Sequence, residues 1–125
     1  MSSIKHVIME SKTVQKILAW LFVHAPRMVP VTLLRETRSW LAFCHPTPSY
    51  PVHIVILPKK PWKDWMAVTI ENPEVIMEFV SLTQSMIRDF QLTPAGYRLI
   101  MNGGPNQTFP HLHFHLVAGE EIPAN

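Results

Sequence analysis

An alternation of histidine and apolar residues near the C-terminus constrains this chain more than any other feature of its sequence. Residues 107–117 read Gln-Thr-Phe-Pro-His-Leu-His-Phe-His-Leu-Val. Successive side chains of a β-strand point to opposite faces of the sheet. The pattern therefore predicts a strand whose apolar side chains enter a core, while the imidazoles of His111, His113 and His115 share the other face about 6–7 Å apart.

On the residues alone, this histidine cluster has three interpretations: a half-polar sheet face, a three-histidine metal site, or a centre of nucleophilic catalysis. Imidazole is the commonest metal ligand, and catalytic zinc sites can use three histidines. However, no cysteine pair accompanies the cluster, and alternate side chains of one strand diverge. In nucleophilic catalysis one imidazole attacks phosphorus or an acyl carbon while its neighbours supply orientation and protons. The sequence favours this third interpretation.

Length and composition restrict the class of protein. The 125 residues predict one domain with a hydrophobic core, and 47% hydrophobic with 16% charged residues argues against disorder. A net charge of +2 is too small to indicate nucleic-acid binding. The single Cys44 excludes an internal disulfide and fits a cytoplasmic protein. The apolar run at residues 17–25 is too short to span a membrane, so we expect a buried helix there and no membrane contact.

Periodicity and turn residues predict two helices among several strands. One helix is predicted from Lys12 to about His24, and a second from Pro73 to near Gln91 after the cap residue Asn72. A weak alternation at residues 4–9 predicts a short additional edge strand. Four further strands are predicted before the histidine strand, at residues 31–36, 39–44, 52–57 and 97–101. Elements in this order predict an α+β fold with a mostly antiparallel sheet.

Three blocks of the sequence, in the right order, resemble the histidine triad (HIT) superfamily. Residues 42–60 are similar to the family's strand, proline-rich turn and second strand, with His53 just after the turn. Residues 96–104 resemble the strand and Asn-Gly loop that precede the triad, and the His-x-His-x-His run follows a Gln and a hydroxyl residue as in the family. The matches cover residues 41–119 of a single predicted domain, 1–125, whose first forty residues have no counterpart.

The resemblance implies a five-stranded antiparallel sheet carrying the helices, and a homodimer with a continuous sheet. It also implies an enzyme that needs no metal or cofactor and cleaves a nucleoside monophosphate conjugate, either a phosphoramidate or a phosphoanhydride, through a nucleotidyl-histidine intermediate. Residues 51–60 look more like the Hint branch, which favours a purine-nucleotide phosphoramidase or hydrolase. The alternatives are a dinucleoside polyphosphate hydrolase, a nucleotide-binding regulatory protein with little turnover, and a metal-dependent hydrolase that uses His53, His111 and His113.

The resemblance also implies a role for each histidine of the cluster. His113, the central member, would be the nucleophile, and His115 would hydrogen-bond the phosphate oxygens. His111 would fix the tautomer and orientation of His113. His53, arriving on the neighbouring strand, would complete a relay of imidazoles.

Substrate-binding residues follow from the same resemblance. Phe43, with Ile54 or its neighbours, would line the pocket for the base. Gln107 and Thr108 match the pair that donates to the phosphate and the bridging atom, and Asn102 matches the family's loop asparagine, also a substrate-binding position. His45 stands where the family often has an Asp that binds the ribose hydroxyls. A histidine can hydrogen-bond a diol, but it lacks the paired acceptors of a carboxylate.

Overall fold

The computed structural model describes residues 12–123, in which two helices accompany five strands. Helix α1 spans Lys12–His24, as predicted, and helix α2 spans Pro73–Asp89. The strands are β1 (Leu33–Glu36), β2 (Trp40–Cys44), β3 (Val52–Pro58), β4 (Arg98–Met101) and β5 (Phe114–Ala118). The predicted strand at residues 4–9 lies outside the described residues.

All five strands form one antiparallel sheet in the order β1-β2-β3-β5-β4. The α+β prediction with a five-stranded antiparallel sheet is therefore confirmed. Because β3 and β5 are neighbours in this order, the strand that carries His53 and the histidine strand lie side by side. Between residues 12 and 123, neither helix has the length and apolar character needed to cross a bilayer.

One face of the sheet packs against α2 and forms the larger core. Ile56 of β3 and Leu116 of β5 are both 0% exposed, and they pack in one cluster with Met86 of α2. Trp40 of β2 donates its indole N–H to the carbonyl of Val75 at 2.8 Å, which pins the start of the helix to the sheet. A buried indole needs such a partner, and here the backbone supplies it.

The opposite face packs against α1. Leu18 and Phe22 are the buried residues of this helix, and they cluster with Phe43 of β2 and with Val55 and Leu57 of β3. The rings of Phe22 and Phe43 stack with centroids 5.5 Å apart. Helix α1 therefore covers the face of the sheet opposite α2. The odd-numbered residues of β3 point toward this face.

Two local predictions need correction. Helix α2 does begin at Pro73, but the side chain of Asn72 makes no capping hydrogen bond; its backbone carbonyl accepts from the N–H of Val75 at 3.1 Å instead. The regular part of the histidine strand begins only at Phe114, because the preceding residues pair with a loop: the N–H of Leu112 donates to the carbonyl of Trp62 at 2.9 Å.

Candidate active site

The register of β3 against β5 brings His53 to the triad. Val55 lies opposite His115, and His53 lies opposite Val117. Opposed residues of an antiparallel pair share a face, and diagonal neighbours are within reach of long side chains. The two imidazoles meet on the α1 side, with Nε2 of His53 at 2.9 Å from Nδ1 of His115.

The apolar members of the histidine strand face the other way, as predicted. Leu112, Phe114 and Leu116 all belong to the buried cluster beneath α2. The alternation therefore continues through Leu112, although the regular strand starts two residues later. The imidazoles occupy the opposite face, as predicted: His115 contacts His53, while the rings of His111 and His113 lie near the rings of Phe22 and Phe109.

His111 is turned into the protein. It is 2% exposed, and its Nε2–H donates to the carbonyl of Pro58 at the end of β3, at 2.8 Å. Its ring lies 6.2 Å from the ring of Phe22. Because its one proton is held by a carbonyl inside the protein, His111 contacts other groups of the site through its backbone rather than through its side chain.

His113 takes its orientation from that backbone. The carbonyl of His111 lies 2.8 Å from Nδ1 of His113. A carbonyl oxygen only accepts hydrogen bonds, so the proton of the neutral His113 ring resides on Nδ1 and its Nε2 carries the free lone pair. The half-buried ring of His113 lines a cavity, and the ring of Phe109 stands edge-on to it with centroids 6.0 Å apart.

The proton positions of His53 and His115 also follow from a backbone group. The N–H of Ser49 donates to Nδ1 of His53 at 2.9 Å, so the proton of His53 resides on Nε2 and is donated to Nδ1 of His115. The proton of His115 then resides on its own Nε2. The free ring nitrogen of His115 is therefore an N–H donor, whereas the free ring nitrogen of His113 is an acceptor.

His45 joins the cluster from the proline-rich loop between β2 and β3. The N–H of Thr47 donates to its Nδ1 at 3.0 Å, which leaves the proton on Nε2. Its ring lies 4.3 Å from the ring of His53 and 6.1 Å from that of His115. Its immediate neighbours are therefore imidazoles, in addition to the cavity that it lines with His113 and His115.

In this loop, prolines are interspersed with the residues whose backbone N–H groups bind imidazoles. Residues 46, 48 and 51 are prolines, which have no N–H, and the N–H groups of Thr47 and Ser49 between them are the ones that bind imidazoles. Gly119 allows the loop to approach β5: its φ is +86°, and a Cβ there would stand 2.8 Å from Cγ of Pro51. The loop is thereby held over the ends of both central strands.

Burial makes every imidazole of the cluster hard to protonate. It lowers the pKa of His53, and it lowers the pKa of His111 and His113 against the opposing effect of their bonds to carbonyls. For His45 the pKa falls to about 4 and for His115 to about 3, first through burial and then through neighbouring imidazoles. A neutral imidazole keeps its lone pair, so the cluster has the protonation state that a nucleophile requires near pH 7.

The tautomers of these histidines are poorly suited to binding a metal ion. His45, His53 and His115 have ring nitrogens within 4.8 Å of one another, a different set from the His53, His111 and His113 suggested by the sequence. A ligating ring must present a lone pair. The backbone N–H bonds to Nδ1 of His45 and His53 place both ring protons on Nε2, toward the cluster, so these two rings present donors there.

The cavity beside the histidines is apolar on most of its wall. Its volume is about 360 Å³. Its polar end is formed by His45, Thr108, His113 and His115. The sheet contributes three apolar side chains and α1 another three: Phe43, Val55, Leu57, Val14, Leu18 and Phe22. A planar apolar group with a polar or charged end would fill such a space.

The structure brings some of the predicted substrate-binding residues to this cavity and leaves others outside. Phe43 lines it as predicted, but Val55 accompanies it, because Ile54 points into the α2 core. Thr108 lies on its rim. Gln107 donates its side-chain N–H groups to the carbonyls of Lys63 at 2.8 Å and Phe109 at 2.9 Å, and thus fastens two loops together.

Asn102 follows directly after β4 and is half-buried. Among the described residues, the lining of the histidine cavity includes neither Asn102 nor Gln107. Phe109 and the wall of α1 were absent from the sequence prediction. Phe109 was detectable, since it continues the odd-numbered series of His111, His113 and His115; the wall of α1 was not, because no motif connects it to the strands.

Comparison with known proteins shows the family of this chain. The sequence model of the HIT domain family matches residues 27–122, most of the chain. The chain belongs to the HIT family. An uncharacterized HIT-like protein of Synechococcus elongatus is 34% identical over 98 residues, covering 77% of this chain and 85% of its own length. One of Rickettsia prowazekii is 32% identical over 97 residues, covering 75% and 81%.

Solved structures of HIT proteins share the fold. A HIT family hydrolase from Legionella pneumophila superposes with a TM-score of 0.72 at 27% identity, covering 82% of this chain and 94% of its own. A histidine triad nucleotide-binding protein from Candida albicans superposes with a TM-score of 0.70 at 18% identity, covering 87% and 80%. The fold of this HIT protein is thus one that hydrolases and nucleotide-binding proteins use.

Proposed function

We propose that this HIT protein hydrolyses a purine nucleoside monophosphate conjugate through a covalent intermediate on Nε2 of His113. One observation carries the proposal: the bond between Nδ1 of His113 and the carbonyl of His111, 2.8 Å long, leaves the lone pair of Nε2 free beside the cavity. Support also comes from the hydrolase among the structural relatives, at 27% identity. The conjugate is a phosphoramidate or a phosphoanhydride.

In the first step Nε2 of His113 attacks the α-phosphorus. The Nε2–P bond forms, and the bond from phosphorus to the leaving group breaks. The leaving group departs with that electron pair; an amine also gains a proton from solvent, whereas a phosphate needs none. Positive charge develops on the imidazole of His113, and the carbonyl of His111 stabilises it through the Nδ1–H.

Donors at the polar end of the cavity bind the phosphate oxygens. The Nε2–H of His115 is the first, since its Nδ1 is occupied by His53. The hydroxyl of Thr108 on the rim is the second. Negative charge on the equatorial oxygens increases in the transition state, so fixed donors lower the barrier.

In the second step water attacks phosphorus and the electron pair of the Nε2–P bond returns to His113. The water loses one proton to solvent, which balances the proton that an amine leaving group gains. The product is a nucleoside monophosphate, and His113 recovers the tautomer it started with. No metal ion or cofactor enters this scheme.

The decisive experiment is hydrolysis of adenosine 5′-phosphoramidate in the presence of a chelator. We expect wild-type turnover to be indifferent to the chelator, and His113→Ala to lose at least about 10³-fold in kcat/KM because the nucleophile is gone. His24→Ala removes an exposed histidine of α1 and serves as the control. Full activity of His113→Ala would disprove the covalent step.

A nucleotide-binding regulatory protein is the second candidate. The amide of Gln107, implied to donate to the phosphate, is engaged by two backbone carbonyls instead. Fewer donors at the phosphate would leave binding intact and slow the chemistry. Binding of AMP without turnover of any conjugate would support this candidate over the hydrolase.

We also infer a homodimer that continues the sheet across β4. Strands β1 and β4 form the two edges, but the pairing of β1 with β2 shifts between Leu33 and Arg35, and bulged edges resist further pairing. Near β4, Tyr97 and Leu99 are both more than 40% exposed. In sedimentation velocity, Leu99→Lys should convert the dimer into monomers, whereas the control Thr32→Lys should remain dimeric. A wild-type protein that sediments as a monomer would refute the inference.

A further inference from the structure

A second groove opens beside the histidine cavity. Its volume is about 510 Å³, and it shares Thr108 and Phe109 with the cavity, so that the two spaces meet at this rim. Lys12 and Lys16 of α1 line one side of the groove. Lys63 and Asp64, from the loop after β3, line another.

Among residues 12–123, the side chains that line the groove carry a net positive charge. Three lysines and one aspartate line it, which gives 3 − 1 = +2. The aspartate is already engaged, since its Oδ1 accepts from the N–H of Met66 at 3.0 Å. Ion pairs within residues 12–123 involve Arg27, Arg35, Lys59 and Arg88, but none of the groove lysines.

The two lysines of α1 place two positive charges close together. Lys12 and Lys16 are four residues apart on one helix, and like charges at this spacing destabilise a helix. An anion bound between the ammonium groups would remove the repulsion, and lysine ammonium groups bind phosphate well as point charges.

We propose that this basic groove binds the leaving group of the substrate, and that the leaving group is a multiply charged phosphate chain. The proposal rests on the cleavage at the α-phosphorus put forward above. The nucleoside fills the apolar cavity, the α-phosphate lies at His113, and the rest of the chain crosses the rim at Thr108 and Phe109 into the groove.

The charge balance of the reaction agrees with this arrangement. When Nε2 of His113 bonds to the α-phosphorus, the bridging P–O bond breaks and its oxygen leaves with the electron pair. Negative charge therefore grows on the departing phosphate, where the ammonium groups of Lys12, Lys16 and Lys63 stabilise it. A neutral amine would gain nothing from the groove. The groove thus favours a phosphoanhydride substrate.

The test compares two substrates with the same nucleoside. Adenosine 5′-triphosphate releases pyrophosphate, and adenosine 5′-phosphoramidate releases ammonia. In the triple variant K12Q/K16Q/K63Q we expect kcat/KM for the triphosphate to fall by about 10–100-fold and that for the phosphoramidate to change by less than about twofold. The control K60Q/R38Q/R88Q removes three positive charges from elsewhere and should leave both values unchanged.

A binding measurement separates the groove from the chemistry. Inorganic tripolyphosphate, titrated calorimetrically, should bind wild type and the control variant but bind the triple variant at least about tenfold more weakly, with a steep salt dependence. Equal loss for both substrates, or no loss for either, would overturn the groove proposal while the hydrolase proposal stands. If neither substrate is cleaved, the hydrolase proposal fails, and tripolyphosphate binding retained by the triple variant would overturn the groove as well.

Discussion

The two faces of the sheet are built from the same strands but serve different ends. Beneath α2, Ile56, Met86 and Leu116 are each 0% exposed, and the interface is closed. Beneath α1, the smaller cluster leaves a cavity of about 360 Å³ against the histidines. Successive residues of β3 and β5 supply both faces. The comparison teaches that stability can be concentrated on one side of a sheet, so that the other side can remain open for ligand.

The largest expected effect separates the two faces by stability. Leu116→Ala on the α2 face should lower the free energy of unfolding by about 2–5 kcal/mol, because a fully packed site leaves a void. Leu57→Ala, equally buried but beside the cavity, should cost about 1 kcal/mol less, since its lost contacts are fewer. Urea denaturation measures both. Equal costs would show that the α1 face is packed as tightly as the α2 face.

A second effect concerns pH and should arise from the imidazoles on the α1 face. The pKa values of His45 and His115 are about 4 and about 3 in the folded protein, below the unfolded value of about 6.5. The unfolded chain therefore binds more protons below that pH. The corresponding stability is fully present above about pH 6.5 and is lost as the pH falls toward the folded values.

Urea denaturation between pH 7.5 and 4.5 measures this loss. The double variant H45Q/H115Q should show a flatter dependence of unfolding free energy on pH than wild type, whereas the exposed H24Q should not. By contrast, kcat/KM of the folded enzyme should stay level below pH 6.5 as well, because burial lowers the pKa of His113 and the ring remains neutral there. An unchanged slope in the double variant would assign the pH dependence to other groups.

The smallest expected effect alters selectivity without altering the fold. His45→Asp supplies the cavity with a carboxylate, whose paired acceptors suit a ribose diol. We expect the ratio of kcat/KM for adenosine 5′-phosphoramidate over its 2′-deoxy analogue to rise about 3–10-fold. His45→Asn, with one acceptor oxygen, is the matched control. A ratio that stays constant in both variants would place the ribose away from residue 45.

Much of this architecture could be predicted from local pattern. Alternation in the histidine strand predicted that Leu112, Phe114 and Leu116 are buried, and the Pro73 signal located the start of α2. Both depend on neighbours in sequence. The wall that α1 contributes and the inward turn of His111 depend on contacts between distant segments, such as the bond from His111 to Pro58, and no local pattern encodes them.

The site shows the same division. The resemblance predicted which histidines gather, and it predicted that His111 orients His113. It did not predict that His45 would join the imidazoles rather than lie apart as a ribose ligand, or that Gln107 would bind two carbonyls. These contacts follow from the path of the loops at residues 45–51 and 59–65. The path of a loop depends on tertiary contacts between distant segments, and sequence periodicity carries no information about those contacts.

Four of the five imidazoles of this site are oriented by main-chain atoms, and the fifth, His115, is oriented by the ring of His53. The main-chain atoms are the N–H groups of Thr47 and Ser49 and the carbonyls of Pro58 and His111. The side chain at position 49 can therefore change without disturbing the orientation of His53, provided that the new residue is not proline. At position 47 the hydroxyl also lies 3.5 Å from Nδ1 of His45. A conventional alanine scan would miss these determinants altogether. Replacing single amides by esters, through chemical synthesis of the chain, would expose them one atom at a time.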